Sequence, residues 1–155
     1  MYYFVTTKVV SAIMTNNQAR SIRVMLVSDL PISLWGLEKL LQGSGPEIEL
    51  AGTAVDCGEA TRIIYETPID VIVVDLDGDI GIDAIAELSS ISPARVLALT
   101  VSRDVSVHDG AILAGARGIV ARSEPVAALL KAIEKIVEGE FWIDGAATGR
   151  IFFHL

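Results

Sequence analysis

The stretch "DVIVVDLDGD", residues 70–79, decides the fold. The run "DVIVV" (70–74) lacks the polar/apolar alternation of a strand that faces water on one side, so it reads as a strand covered on both faces. It ends by carrying Asp75 out of the interior, and Asp77 and Asp79 follow on alternate positions. Three similar runs, "IRVMLV" (22–27), "IELAGTAV" (48–55) and "RVLALT" (95–100), flank it, with a weaker fifth in "GIVA" (118–121). Between them, segments 32–42, 58–66, 81–90, 105–115 and 124–138 have helical spacing. The last is clearest, because Val126, Leu129, Leu130, Ile133 and Val137 form one stripe. Ser123 is its expected N-cap, Pro125 stands near the first helical position, and Gly139 ends it.

Strands alternating with helices predict an α/β domain, a doubly wound, flavodoxin-like (βα)5 parallel sheet of order 2-1-3-4-5. Right-handed crossovers bring the carboxyl ends of all strands to one edge, where ligands of such sheets collect. The residues at those ends are Ser28 and Asp29 after the first strand, Asp75 after the third, Thr100 after the fourth and Arg122 after the fifth.

With 155 residues, the chain is long enough for one buried core. Residues 1–20 read as an N-terminal extension, 21–140 as the domain, and 141–155 as a tail or the start of a linker, ending in the apolar cluster Ile151, Phe152 and Phe153. A hydrophobic fraction of 52% and a mean hydropathy of +0.53 are high, yet no apolar run approaches the roughly 20 residues that cross a bilayer. With no signal-peptide pattern at the start, the expected location is the cytoplasm, away from membranes. A single cysteine, Cys57, excludes an internal disulfide and a cysteine metal cluster, and the presence of only two histidines argues against a zinc site. The net charge of −8 and the absence of a Lys/Arg cluster argue against direct nucleic-acid binding by this chain.

Two carboxylates, a hydroxyl and a cation meeting in one cleft suit phosphoryl transfer to a carboxylate. An aspartate attacks a phosphoryl group when its charge is neutralised and its position held. A second acid would help hold Mg²⁺, a hydroxyl would meet the phosphoryl oxygens, and a cation would pair with the new charge.

At these residues the chain resembles the receiver domains of two-component response regulators, especially the NarL/FixJ (LuxR-type) subfamily. The resemblance covers about residues 22–140. It rests on "RVMLVSDLPISLWGLEKLL", "DVIVVDLDGDIGIDAI", "VLALTVS" and "AGARGIVARSEPVAALLKAIEKIVEGE", in that order. It implies that Asp75 is the phosphoacceptor and Thr100 the switch hydroxyl. Arg122 takes the place of the family lysine, and Mg²⁺ would be held by Asp29, Asp75 and the backbone carbonyl of Asp77. It also implies a sensor histidine kinase as partner, a homodimer, and control of a transcriptional output through a helix-turn-helix domain beyond this sequence. Enzymatic activity is not expected beyond self-phosphorylation from a phosphodonor and autodephosphorylation.

The chain departs from the pattern at four places. Ser28 stands where the family has the first of two acids, and Arg122 puts a planar fork where it has an ammonium. "LDGDIG" replaces a Met-Pro pair and a Gly-rich turn, and Ile119 replaces an aromatic residue. Asp77 and Asp79 either approach the metal or the Arg122 guanidinium, or are solvated loop carboxylates. Asp29 is either a metal ligand or a helix N-cap beside Pro31. Arg122 either serves a phosphoryl group or pairs directly with Asp75. The departures support an alternative, a phosphorylation-independent receiver acting as a constitutive dimerisation or interaction module. A small Mg²⁺-dependent phosphatase or a flavin binder on a similar sheet is a third reading; the loops lack a phosphate cradle for flavin, and only Asp77 offers a second acid for hydrolysis.

Overall fold

Five parallel strands form one sheet in the order β2-β1-β3-β4-β5: β1 (Ile22–Val27), β2 (Ile48–Ala54), β3 (Val71–Asp75), β4 (Arg95–Thr100) and β5 (Ala116–Ala121). The crossovers are α1 (Pro31–Gln42), α2 (Cys57–Glu66), α3 (Ile82–Ile91) and α4 (Val105–Leu113), and α5 (Val126–Val137) closes the domain. This is the expected flavodoxin-like arrangement. The structure, a computed structural model, describes residues 20–143 and Gly149. The cluster at Ile151, Phe152 and Phe153 lies outside them.

Each strand sends alternate side chains to opposite faces, so the sheet carries two cores. Met25, Val27, Ile72, Val74, Val96 and Ala98 pack with Ile63 of α2, Ile85 and Leu88 of α3, and Ile112 of α4. Val24, Leu26, Val71, Val73, Leu97 and Leu99 pack with Leu41 of α1 and with Leu129, Ile133 and Ile136 of α5. All of β3 is buried, as its unbroken apolar run requires. Among the described residues no helix is long and apolar enough to cross a membrane.

Three local expectations need correction. Asp70 is not the first residue of β3. Its carboxylate accepts the Arg23 amide at 2.9 Å and pairs with Arg20 at 3.1 Å, closing the amino end of the sheet. The fifth strand begins two residues before "GIVA" and α4 correspondingly stops at Leu113, because Gly115 turns the chain with φ of 121°. Ser123 does not cap α5. Pro125, in extended backbone, is the N-cap residue, and residues 122–123 form a turn closed by Glu124 N–H to Ala121 O at 3.0 Å. The proline ring disfavours helical backbone at Glu124 and so delays the helix.

After α5 the chain runs back along β5. Ile119 donates to Trp142 O at 2.9 Å and Trp142 donates to Arg117 O at 3.0 Å. Gly118 permits this approach, since a Cβ there would lie 2.7 Å from Trp142 Cβ and 2.9 Å from Leu97 Cδ1.

Parallel register fixes the functional edge. Val27 stands beside Val74, and Asp75 beside Leu99, so Thr100 projects one position beyond Asp75 on the neighbouring strand.

Candidate functional site

The carboxylate of Asp75 is the centre of the cleft, and it is 1% exposed. Its Oδ2 accepts hydrogen bonds from Ser28 Oγ and Ser33 Oγ, both at 2.8 Å, and forms an ion pair with Arg122 Nη2 at 2.5 Å. Its Oδ1 accepts the Asp77 amide at 3.0 Å. Burial pushes the acid toward neutrality, but the bonds from Arg122, the Asp77 amide, Ser28 and Ser33 outweigh it and hold Asp75 below its usual pKa. Burial likewise opposes the charge on Arg122, and its bonds to Asp75 and Asp77 overcome that and raise its pKa.

Each partner is placed by its element. Ser28 follows β1, and its Oγ also accepts the Leu30 amide at 3.2 Å. Ser33 lies in the first turn of α1, whose Pro31 start suits the missing proline N–H. Arg122 follows β5. Its Nη2 donates to Ser33 Oγ at 2.7 Å, and its Nε bonds Asp77 Oδ2. Asp77 turns toward β4 rather than solvent: Thr100 Oγ1 donates to its Oδ1 at 3.0 Å, and the Val101 amide to the same oxygen at 2.9 Å. Of the two readings left open by the sequence, Asp77 therefore takes the approach to Arg122.

Asp29 behaves differently from the N-cap reading. The N-cap of α1 is Leu30, without a side-chain cap bond, and Asp29 Oδ2 accepts the Asp79 amide at 2.9 Å across the cleft. Gly78 allows this crossing, because a Cβ there would collide with the Asp29 carboxylate. Asp79 itself is exposed.

The residues expected at the strand ends are thus gathered at one edge, and Arg122 pairs with Asp75 directly. Ser33 was missed. It precedes Leu37 by four residues and Leu41 by eight, so it heads the buried stripe of α1. That phase was a readable signal that its hydroxyl faces the sheet edge.

As placed, these side chains do not close around Mg²⁺. Asp29 Oδ1 is buried without a hydrogen-bond partner, an atom a cation would satisfy. Against it, Ser28 offers a hydroxyl in place of an acid, both oxygens of Asp75 are engaged, and the Asp77 side chain faces β4. Among the described residues no group of three or more His, Cys, Asp or Glu side chains is placed to hold a metal.

No protein-family model matches the chain. It is 30% identical over 137 residues to the transcriptional regulatory protein LiaR of Bacillus subtilis, covering 86% of this chain and 64% of that protein. The chain therefore spans just under two thirds of that relative. The receiver domain of RcsB from Salmonella enterica superposes with a TM-score of 0.74 at 20% identity, a likeness of fold. A two-component response regulator of the LuxR family from Aurantimonas sp. is 33% identical with a TM-score of 0.74, and the match covers 87% of this chain and 98% of that one. With that coverage, the 2-1-3-4-5 sheet and an aspartate delivered by its central strand, the chain belongs to the receiver domains of LuxR-type two-component response regulators.

Proposed function

We propose that this receiver takes a phosphoryl group on Asp75 from a sensor histidine kinase and uses the change to govern dimerisation or a transcriptional output domain. The observation that carries the reading is the convergence of Ser28, Ser33, the Asp77 amide and Arg122 on one buried carboxylate at the end of β3. In this reading Thr100 is the switch hydroxyl and Arg122 the cation in the place of the family lysine. The Arg122 Nη2 contact must open before Asp75 can react. The chemistry is confined to the chain's own carboxylate, so it is a signalling module and not an enzyme acting on other molecules. RcsB, a relative in fold, is described as dimers bound to DNA. For this chain, a homodimer and DNA reached through a further domain belong to the proposal, as does a metal held by Asp29, Asp75 and the Asp77 carbonyl after rearrangement.

The test is incubation with acetyl phosphate and Mg²⁺ followed by intact mass. One added phosphoryl group is expected on the wild type and none on Asp75→Ala; an unchanged wild-type mass removes the acceptor reading. A second reading is favoured by the same ion pair: a phosphorylation-independent interaction module in which Arg122 permanently occupies Asp75. It expects no mass gain together with an oligomeric state that acetyl phosphate does not alter.

A further inference from the structure

The chemistry of an aspartyl phosphate calls for three things around the transferred group: a hydroxyl, further N–H donors and a cation. In this structure those groups are already spent on another anion. Thr100 Oγ1 and the Val101 amide both reach Asp77 Oδ1, at 3.0 and 2.9 Å, and the same amide lies 3.1 Å from Oδ2. Arg122 Nε completes the set on Oδ2. We infer that the Asp77 carboxylate is a built-in occupant of the phosphoryl subsite, a positioning residue that holds the β4–α4 loop in its anion-engaged arrangement before any phosphorylation. The inference rests on the reading of Thr100 and Arg122 as the groups that meet a phosphoryl group.

Two further observations support it. Val101 is 64% exposed, and its amide donates to both oxygens of the Asp77 carboxylate. The Asp77 amide is meanwhile bonded to Asp75 Oδ1, so the backbone at position 77 is fixed beside the acceptor while its side chain reaches β4. A carboxylate presents two oxygens, and both are used: one for the hydroxyl and the amide, the other for the guanidinium.

A phosphoryl group arriving on Asp75 would be a second anion competing for the same donors. In that transfer a carboxylate oxygen of Asp75 forms a bond to phosphorus, the bond from phosphorus to the acetate oxygen of acetyl phosphate breaks, and acetate leaves with its electron pair. The product has to displace Asp77 from Thr100, Val101 and Arg122. Asp77 is therefore an internal competitor of the modified state as well as a stand-in for it.

Two measurements on the full chain test this. Amide hydrogen exchange at Val101 should be at least tenfold faster in Asp77→Ala than in wild type, with Ile72 in the core unchanged as the control for folding. Equal exchange at Val101 in the two proteins overturns the inference. Intact-mass kinetics with acetyl phosphate should show Asp77→Ala modified at least fivefold faster than wild type; equal or slower modification of the variant overturns the competitor role. If neither protein is modified, the acceptor reading of Asp75 fails, and Val101 exchange still decides whether Asp77 holds the loop.

Discussion

Replacing Arg122 by Met should destabilise the domain by about 2–3 kcal/mol at pH 7. Removing one partner of a buried ion pair costs ~3–5 kcal/mol when the other charge is left without compensation. Here Asp75 stays 1% exposed but keeps Ser28, Ser33 and the Asp77 amide, and the Arg122 side chain is 26% exposed, so the loss falls at or just below the low end of that range. Asp75→Asn removes the charge from the other side and leaves Arg122 on Asp77. The double variant should be more stable than the sum of the two single losses implies, with a coupling of ~2 kcal/mol, within the range seen for residues in direct contact. The assay is urea unfolding of the four proteins. The comparison is Arg62→Met, whose i,i+4 bond to Glu66 at 3.0 Å joins side chains 58% and 62% exposed, and a pair of that kind is worth ~0.3–0.5 kcal/mol. Raising salt should erase most of the Arg62 effect and little of the Arg122 effect. A coupling below ~0.5 kcal/mol, or an Arg122 loss no larger than that of Arg62, refutes the claim that the cluster is a single electrostatic unit.

Three further outcomes follow from particular contacts. Because Asp75 is held below the ordinary aspartate value of 3.8, its stabilising contribution is complete above that pH and is lost as pH falls through 3.8 toward the folded value; acid unfolding of Asp75→Asn should therefore have a shallower slope below pH 3.8. Burial first, and then Glu87 beside it, push the Cys57 thiol up to about 11, so alkylation by iodoacetamide at pH 8 should run roughly a hundredfold slower in the native protein than in urea. Gly118→Ala forces a Cβ against Trp142 and Leu97 and should cost ~1–3 kcal/mol with a red shift in tryptophan emission, whereas Gly36→Ala, in open space within α1, should stabilise by ~0.5–1 kcal/mol.

The fold was legible because burial on both faces leaves a local trace. Val71–Val74 has no polar face to offer, and α5 has an apolar stripe that only a helix aligns, although its buried face is Leu129, Ala132, Ile133 and Ile136 and Val126 of the expected stripe is exposed. Strand ends then follow from topology, which is why the sequence alone places Asp75, Thr100 and Arg122 at one edge of the sheet. Boundaries failed where a turn residue competed with periodicity, as at Gly115 and Pro125. Ser33 was passed over because a serine in a first helical turn ordinarily faces the backbone or solvent. The orientation of Asp77 was beyond local reading. It depends on a guanidinium 45 residues away and on Thr100, 23 residues away, reaching one carboxylate together. Sequence spacing does not encode such a three-body choice; the geometry of the sheet edge does.

The two departures at Ser28 and Asp77 have one electrostatic meaning. A receiver of the ordinary pattern places two acids after the first strand and an acceptor after the third, against one lysine. This chain has three carboxylates and one cation in the cleft, Asp29, Asp75 and Asp77 with Arg122, with the third acid in the loop after β3 instead of at the β1 end. At the β1 end an acid would draw a divalent cation between itself and Asp75; Ser28 instead donates its proton to Asp75 Oδ2. After β3 the acid draws the guanidinium, and a guanidinium is suited to the task because its planar fork serves Asp75 through Nη2 and Asp77 through Nε at once, which a lysine ammonium on one stem does less well. With its third acid after β3, the cleft carries less negative charge on the Asp29 side and more beside Arg122. Ser28 and Arg122 thus belong to one arrangement, a hydroxyl on Asp75 at the β1 end and a guanidinium shared by Asp75 and Asp77 at the β5 end.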